Sequence, residues 1–358
     1  MTFALPRYTR PNLEALPPIP VRTAPAPCDG AAPECFHATT IFPEFFYLGE
    51  RWRLLQQSRM DCVVVVENGQ PMTRELRTLR AGEQVVIGRA EDGSQGIYVD
   101  SRAFCQGNGP QAAFRFRSSR SRETAYSQDY DRLYELLAYE RDHGHIVWVL
   151  GPAVVFDSDA RSAMAQLIAV GYVHALLAGN ALATHDLEAA LFGTALGQDI
   201  YSKAQAPQGH YHHLDAINAT VRAGSITRLV SERCITDGVV SACIRHDVPL
   251  ILAGSIRDDG PLPGVIADAY AAQDTMRAQM RQATTVLGLA TQLHTIAVGN
   301  MTPSYQVIQG QVRPVYFYAV DISEFATNKL RDRGSLGVTP VVTNVQDFVV
   351  LLARHLCR

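Results

Sequence analysis

Short β-branched clusters open the readable pattern of this chain: DCVVVVEN from Asp61, then EQVVIGRA, GIYVDS and AAFRFRSS, separated by Gly, Asn, Asp and Arg/Ser breaks. Clusters of that length between turn formers predict a small, mostly antiparallel sheet. Tyr130, Leu133, Leu136 and Leu137 then recur at helical spacing between Asp129 and Asp142, with Gly144 as the stop, so a helix carries the chain into a second unit. There the pattern alternates. Strand-like IVWVLGP is followed by a helix through Met164 to Val170, VHALLAGN, several helices, VPLILAGS and a long helix from Val265 to Gln282. TTVLGLA, another helix, VYFYAVDI and a last strand near Val338 to Val342 complete the series. Continuous apolar strands alternating with helices predict an α/β fold, a doubly wound parallel sheet covered on both faces.

The first forty residues hold eight of the nineteen prolines, which precludes regular helix or a central strand there. The expected organisation is a Pro-rich arm over 1–40, a smaller N-terminal α+β domain over 41–140, and the α/β domain over 141–358. A length of 358 residues suits two cores better than one. The arm could dock on a neighbouring copy, so a homo-oligomer is expected.

Composition removes several functions. With 47% hydrophobic and 19% charged residues the chain belongs with soluble globular proteins. A net charge of −3 without a long basic run lacks the electrostatic footprint of nucleic-acid binding, so nucleic acid is set aside as a partner. No apolar run approaches the roughly 20 residues a membrane-spanning helix needs, and no membrane partner is expected. The absence of a basic-then-apolar leader, with seven scattered cysteines, points to a reducing cytoplasm.

Candidate chemistry gathers where the apolar strands end, in GPAVV, GNALATHDLE, GSIRDDGPLPG and ATQLHTIAVGN. Ligands of doubly wound sheets bind outside the carboxyl ends of the strands. Gly179 and Gly254 let backbone approach a ligand, and the helix N-termini that follow offer free N–H groups to phosphate or carboxylate oxygens. Asp321 ends VYFYAVDI, where a carboxylate can accept both hydroxyls of an adenosine ribose, which favours NAD over NADP. No GxGxxG follows any strand, so a dinucleotide has to be held without that fingerprint.

Between the second and third apolar strands, His210, His212 and His213 lack the i, i+4 spacing and acidic or thiol partner of a helical zinc site, so no metal is expected. His210, His213 and Arg222 read better as substrate-handling groups, since histidine titrates near neutrality and arginine clamps a carboxylate bidentately. Helix capping or loop packing is the alternative for each. Asp258 and Asp259 bring adjacent carboxylates to a strand end; consecutive side chains diverge, which suits two different roles, the alternative being an acidic capping turn.

The segments GPAVV (151–155), GNALATHDLEAALFGT (179–194), GHYHHLDAIN (209–218), RAGSI (222–226), LAGSIRDDGPLPGVIAD (252–268), ATQLHTIAVGNMTPS (290–304), VDI and KLRDRGS closely resemble the conserved half of the archaeal-type ornithine cyclodeaminases. That half is also described as the conserved region of bifunctional lysine-ketoglutarate reductase/saccharopine dehydrogenase-like proteins. The resemblance implies a deoxyhypusine synthase-like NAD-binding domain, tightly bound NAD, and an amino-acid substrate, ornithine, converted to proline with release of ammonia. By the family's pattern Asn180, Ala181, Asp259, Thr291, Gln292, Leu293, His294, Asp321, Asn344 and Val345 contact NAD. Two positions depart from it: the family usually has an apolar residue such as Met where Gln292 stands, and Asp where Asn344 stands. The implied chemistry needs a carboxylate at the amine, a proton shuttle and a cation for the substrate carboxylate. Asp258, His213 (with His210 second) and Arg222 are the candidates. A different amino-acid substrate is the nearest alternative, and a non-catalytic NAD-binding module is another; the cluster of His210, His213, Arg222 and Asp258 argues against the latter.

Overall fold

The computed structural model describes residues 3–104, 126–258, 260–323 and 338–357. The AAFRFRSS and KLRDRGS segments and Asp259 lie outside them.

Among the described residues, seven strands make two antiparallel sheets before the first long helix. β1 (Arg22–Pro25), β6 (Gln84–Ile87), β4 (Val63–Glu67) and β5 (Gln70–Arg74) lie in that spatial order, and β2 (Glu44–Leu48) sits between β3 (Arg51–Leu54) and β7 (Ile97–Val99). The period-two clusters explain this arrangement. Val63 and Val65 of β4 face one small core with Val85, while Val64 faces another with Phe46 and Ile97. β1 comes from the Pro-rich stretch and is an edge strand, where a missing N–H is tolerated. The arm docks on its own chain: Phe3 packs on Tyr139 and Tyr316, and the Tyr8 hydroxyl donates to Asp100.

α1 (Tyr126–His143) leads into a six-stranded parallel sheet. Its strands are β8 (Ile146–Leu150), β9 (Ala175–Gly179), β12 (Leu250–Ala253), β13 (Thr285–Leu289), β16 (Tyr316–Asp321) and β17 (Val338–Val342). Small hairpins β10 (Thr194–Ala195) with β11 (Gln198–Asp199), and β14 (Tyr305–Ile308) with β15 (Gln311–Pro314), stand outside it. The sheet order is β12-β9-β8-β13-β16-β17, so the chain winds outward from β8, then restarts at β13 and winds the other way. That is the strand order of Rossmann folds, with the direction of winding reversing between β8 and β13. β8 shows why these strands read as unbroken apolar runs: Ile146, Trp148 and Leu150 enter one core, Val147 and Val149 the other, and all five are buried.

Among the described residues the helices that follow are α2 (Ser158–Ala169), α3 (Asn180–Phe192), α4 (His212–Ala223), α5 (Ile226–Glu232), α6 (Val239–Arg245), α7 (Ala269–Met280), α8 (Gln292–Met301) and α9 (Val345–Leu356). Local chemistry sets their ends. Asp157 caps α2 by accepting the N–H groups of Asp159 and Ala160, and Gly193 and Gly224 close α3 and α4 in the left-handed conformation. The helix expected from Val265 starts later, at Ala269, because Ile266 forms a parallel bridge with Ala253 and donates its N–H to Leu252, extending the edge of β12 before Asp268 caps the helix. Among the described residues no helix is long and apolar enough to cross a membrane.

The small sheets join the large one through specific polar contacts. Glu75 receives Arg59 at 2.8 Å and Arg277 of α7 at 2.9 Å, Arg77 pairs with Asp274, and the Tyr305 hydroxyl donates to the Leu55 carbonyl.

Candidate active site at the sheet's switch point

The crevice sits where winding reverses, at the carboxyl ends of β8 and β13. Gly151 follows β8 and donates its N–H to the Leu289 carbonyl at 2.8 Å; a Cβ there would lie 2.0 Å from the Ala290 carbonyl oxygen, so only glycine fits. Ala290 itself turns with φ +51, a conformation that costs a non-glycine residue energy and is found at functional turns. Gly179, at the end of β9, also approaches α8: a Cβ on it would lie 2.8 Å from Cε1 of His294.

Two helices open at this point without side-chain caps. Gly179 precedes α3 and Thr291 precedes α8, and neither side chain accepts an N–H of its own helix. Free N–H groups at two helix N-termini beside a switch point form the donor set a pyrophosphate requires, so the residues present fit a dinucleotide. Asp321 ends β16 half-buried, its Oδ1 accepting the Ser323 N–H at 3.0 Å.

The residues expected to contact the cofactor fall into three groups. Asn180, Ala181 and His294 come together around Gly179, and Thr291 lies between His294 and Gly151. The side-chain Oδ1 of Asn180 already accepts the Leu262 N–H at 3.0 Å and ties α3 to the loop after β12. Gln292 and Leu293 are exposed on the first turn of α8, Leu293 at 72%. Asn344 and Val345 start α9: Asn344 caps Gln346, a duty Asp performs equally well, and Val345 packs into the core.

The reaction residues separate further. Asp258 is half-buried and its Oδ2 accepts the Ser255 N–H at 2.8 Å, holding the loop after β12 in a turn. Its charge faces His294, whose pKa burial lowers and Asp258 partly restores. His213 is half-buried at the start of α4, with its ring centroid 6.3 Å from that of His185. His210 is exposed and lies against Tyr211. Arg222 is exposed in the last turn of α4, nine residues beyond His213, which is on the order of 13 Å along a helix. The fold does not bring Arg222 and His213 together.

Sequence reasoning passed over His185 and Glu188. Both are buried on α3, together with Asp186, in a helix otherwise made of apolar and small residues. That was the available signal, since polar residues on a helix buried all round need partners or a task.

Fold and crevice together define a Rossmann-fold protein with a small antiparallel unit packed beside it. Residues 133–352 match the model described as "Arginine dihydrolase ArgZ-like, C-terminal, Rossmann fold", and residues 44–124 match that of the first region of the same C-terminal part. The chain belongs to this ArgZ-like C-terminal family, which includes archaeal proteins named ornithine cyclodeaminase. It is 40% identical to the ornithine cyclodeaminase of Methanopyrus kandleri over 94% of this chain and 79% of that protein. A crystal structure of a conserved putative LOR/SDH protein from Methanococcus maripaludis superposes with a TM-score of 0.83 and 35% identity, covering 94% of this chain and 98% of that one. AgrE, solved in a ternary complex with ornithine and NAD+, matches with a TM-score of 0.59 and 34% identity over 96% of this chain but 46% of its own.

Proposed function

We propose that the protein is an NAD-dependent ornithine cyclodeaminase, forming one proline and one ammonia from each ornithine. The observation that carries this reading is the pair of uncapped helix N-termini meeting at the β8/β13 switch point, with Asp321 at a neighbouring strand end. The relatives named ornithine cyclodeaminase, and AgrE with ornithine and NAD+, support it.

In this reading the first turns of α3 and α8, from Asn180 and Ala181 and from Thr291 to His294, bind the pyrophosphate and nicotinamide side, with Asp259. Asp321 binds the adenosine ribose, and Asn344 and Val345 border it. When bound, NAD supplies a hydride acceptor that ends the cycle unchanged. The chain's own residues position and move protons. Asp258 holds the substrate ammonium at the mouth of the crevice, and the histidines on the α3/α4 side handle protons near neutrality. Arg222 is left out, because it is exposed in the last turn of α4, on the order of 13 Å along the helix from His213.

The test is incubation of purified protein with ornithine, with and without added NAD, following proline, ammonia and NADH absorbance together. Equal proline and ammonia without accumulating NADH is the expected result. Accumulating NADH would instead make the protein an oxidising dehydrogenase, and the absence of all three products would overturn the choice of substrate.

A further inference from the structure

The buried polar residues of α3 form a network whose protons can be counted. Glu188 is fully buried; its Oε2 lies 2.8 Å from Nδ1 of His185 and 3.1 Å from the Leu196 N–H. Its Oε1 accepts the Thr194 hydroxyl and the Gly197 N–H, each at 2.9 Å. Burial alone would raise this carboxyl's pKa, but the bonds from His185, Gly197 and Thr194 outweigh it and hold the pKa below the ordinary value. Glu188 is therefore an ionised, accept-only group, and every partner must donate to it. The Thr194 hydroxyl proton is thereby committed, so its oxygen accepts from Nδ1–H of His212, 2.8 Å away.

His185 likewise donates Nδ1–H to Glu188, which leaves Nε2 as the atom where a proton can arrive and depart. A carboxylate behind an imidazole fixes its tautomer and ring orientation and stabilises its charged form. The groups around the ring are Glu188 on α3, Phe156 edge-on at 5.3 Å after β8, and His213 on α4, with His212 reached through Thr194. The Lys203–Asp157 ion pair lies beyond Phe156, with Lys203 also bonded to the Phe156 carbonyl. His185 stands five residues into α3, about 7 Å along the axis from Asn180 at the crevice.

We propose that His185 is the catalytic proton carrier of the ornithine reaction, that Glu188 is its positioning residue, and that Thr194 and His212 hold Glu188 in place. The inference rests on the function proposed above. Nε2 takes a proton from the substrate's α-ammonium; the N–H bond breaks and its electron pair stays on nitrogen. The resulting imidazolium faces Glu188 and returns the same proton to the nitrogen that departs as ammonia, so no net proton is consumed.

The experiment compares wild type with His185→Gln, Glu188→Gln and the milder Thr194→Val, using proline formation, NAD affinity by fluorescence, and the NMR chemical shifts of the His185 ring nitrogens without substrate, which report its tautomer. His185→Gln should lower kcat about 100-fold or more while leaving NAD affinity within about threefold. Glu188→Gln should lower kcat about tenfold or more with NAD affinity again within about threefold, and should change the His185 ring-nitrogen shifts, because the carboxylate that fixes Nδ1–H is gone. Thr194→Val should change both in the same direction by less. Wild-type turnover in His185→Gln would overturn the catalytic role. His185 ring-nitrogen shifts unmoved by Glu188→Gln and Thr194→Val would overturn the dyad, whatever the substrate. If wild type forms no proline, the ornithine reading fails, and the substrate-free nitrogen shifts still decide the dyad.

Discussion

Nε of Arg161 lies 2.6 Å from Oδ1 of Asp186, both side chains almost fully buried, and the same carboxylate accepts the N–H groups of Val239 at 3.1 Å and Val240 at 2.8 Å. One residue therefore fastens α3 to α2 and caps α6. Consecutive side chains on a helix diverge, so Asp186 anchors the helix while His185 beside it turns toward Phe156 and His213. Asp186→Ala leaves a buried guanidinium without its inner partner and two N–H groups uncapped. The expected loss is about 3–5 kcal/mol of stability in the α/β unit, measured by chemical denaturation. A loss under about 1 kcal/mol would show that the exposed Asp237, which also contacts Arg161, carries the pair alone.

Gly151→Ala tests the crevice. The added methyl would meet the Ala290 carbonyl oxygen and force the chain apart just past the last pair of β8 and β13, Leu150 with Leu289. We expect on the order of 1–3 kcal/mol of destabilisation and at least a tenfold weaker affinity for NAD in a fluorescence titration, since the dinucleotide reading places it at this junction. Unchanged affinity would move the cofactor elsewhere.

The inner parallel strands were legible because they are buried on both faces, and the pattern from Ile146 to Leu150 needs no period to betray it. The strand-end glycines, Asp321 and the first turn of α8 were legible for the related reason that ligands of such sheets gather there. What stayed hidden depended on contacts distant in sequence. Nothing local tells that Arg22–Pro25 pairs with Gln84–Ile87, or that Ile266 bridges Ala253 and delays α7. Arg222 read as a substrate-handling group beside His210 and His213 because all three sit in one polar segment; the length of α4 sets it on the order of 13 Å along the axis from His213. His185 and Glu188 are the exception: the partners Thr194, Leu196 and Gly197 lie within nine residues of Glu188, but only the turn that ends α3 brings them back against it.

Acid should loosen the joint between the small sheets and the α/β unit. Burial alone would raise the Glu75 pKa, yet the guanidinium groups of Arg59 and Arg277 pull it from 4.5 down to about 2. A carboxyl with a depressed folded pKa contributes stability that is fully present above its unfolded value and is lost as pH falls through the folded one. Here the window runs from pH 4.5 to about 2, and the amount at stake is about 3 kcal/mol. Glu75→Gln should lower stability at pH 7 and flatten this part of the acid-unfolding curve. A variant curve parallel to wild type between those limits would show that other carboxyls govern acid unfolding.

His294 and Asp258 give the last test, because their coupling has a sign. Burial lowers the His294 pKa below 6.5 and the charge of Asp258 opposes that shift. The folded protein therefore keeps this imidazole neutral where the unfolded chain would already bind a proton, so its contribution to stability falls as pH drops below 6.5. Asp258→Asn removes the opposing charge and should move the His294 midpoint lower still in an NMR titration. The same variant should reduce proline formation about 100-fold or more while leaving NAD bound, because Asp258 is assigned to the substrate amine and Asp259 to the cofactor. A midpoint that rises or stays fixed would separate Asp258 from His294. Loss of NAD with the midpoint lowered would instead exchange the roles of the two aspartates.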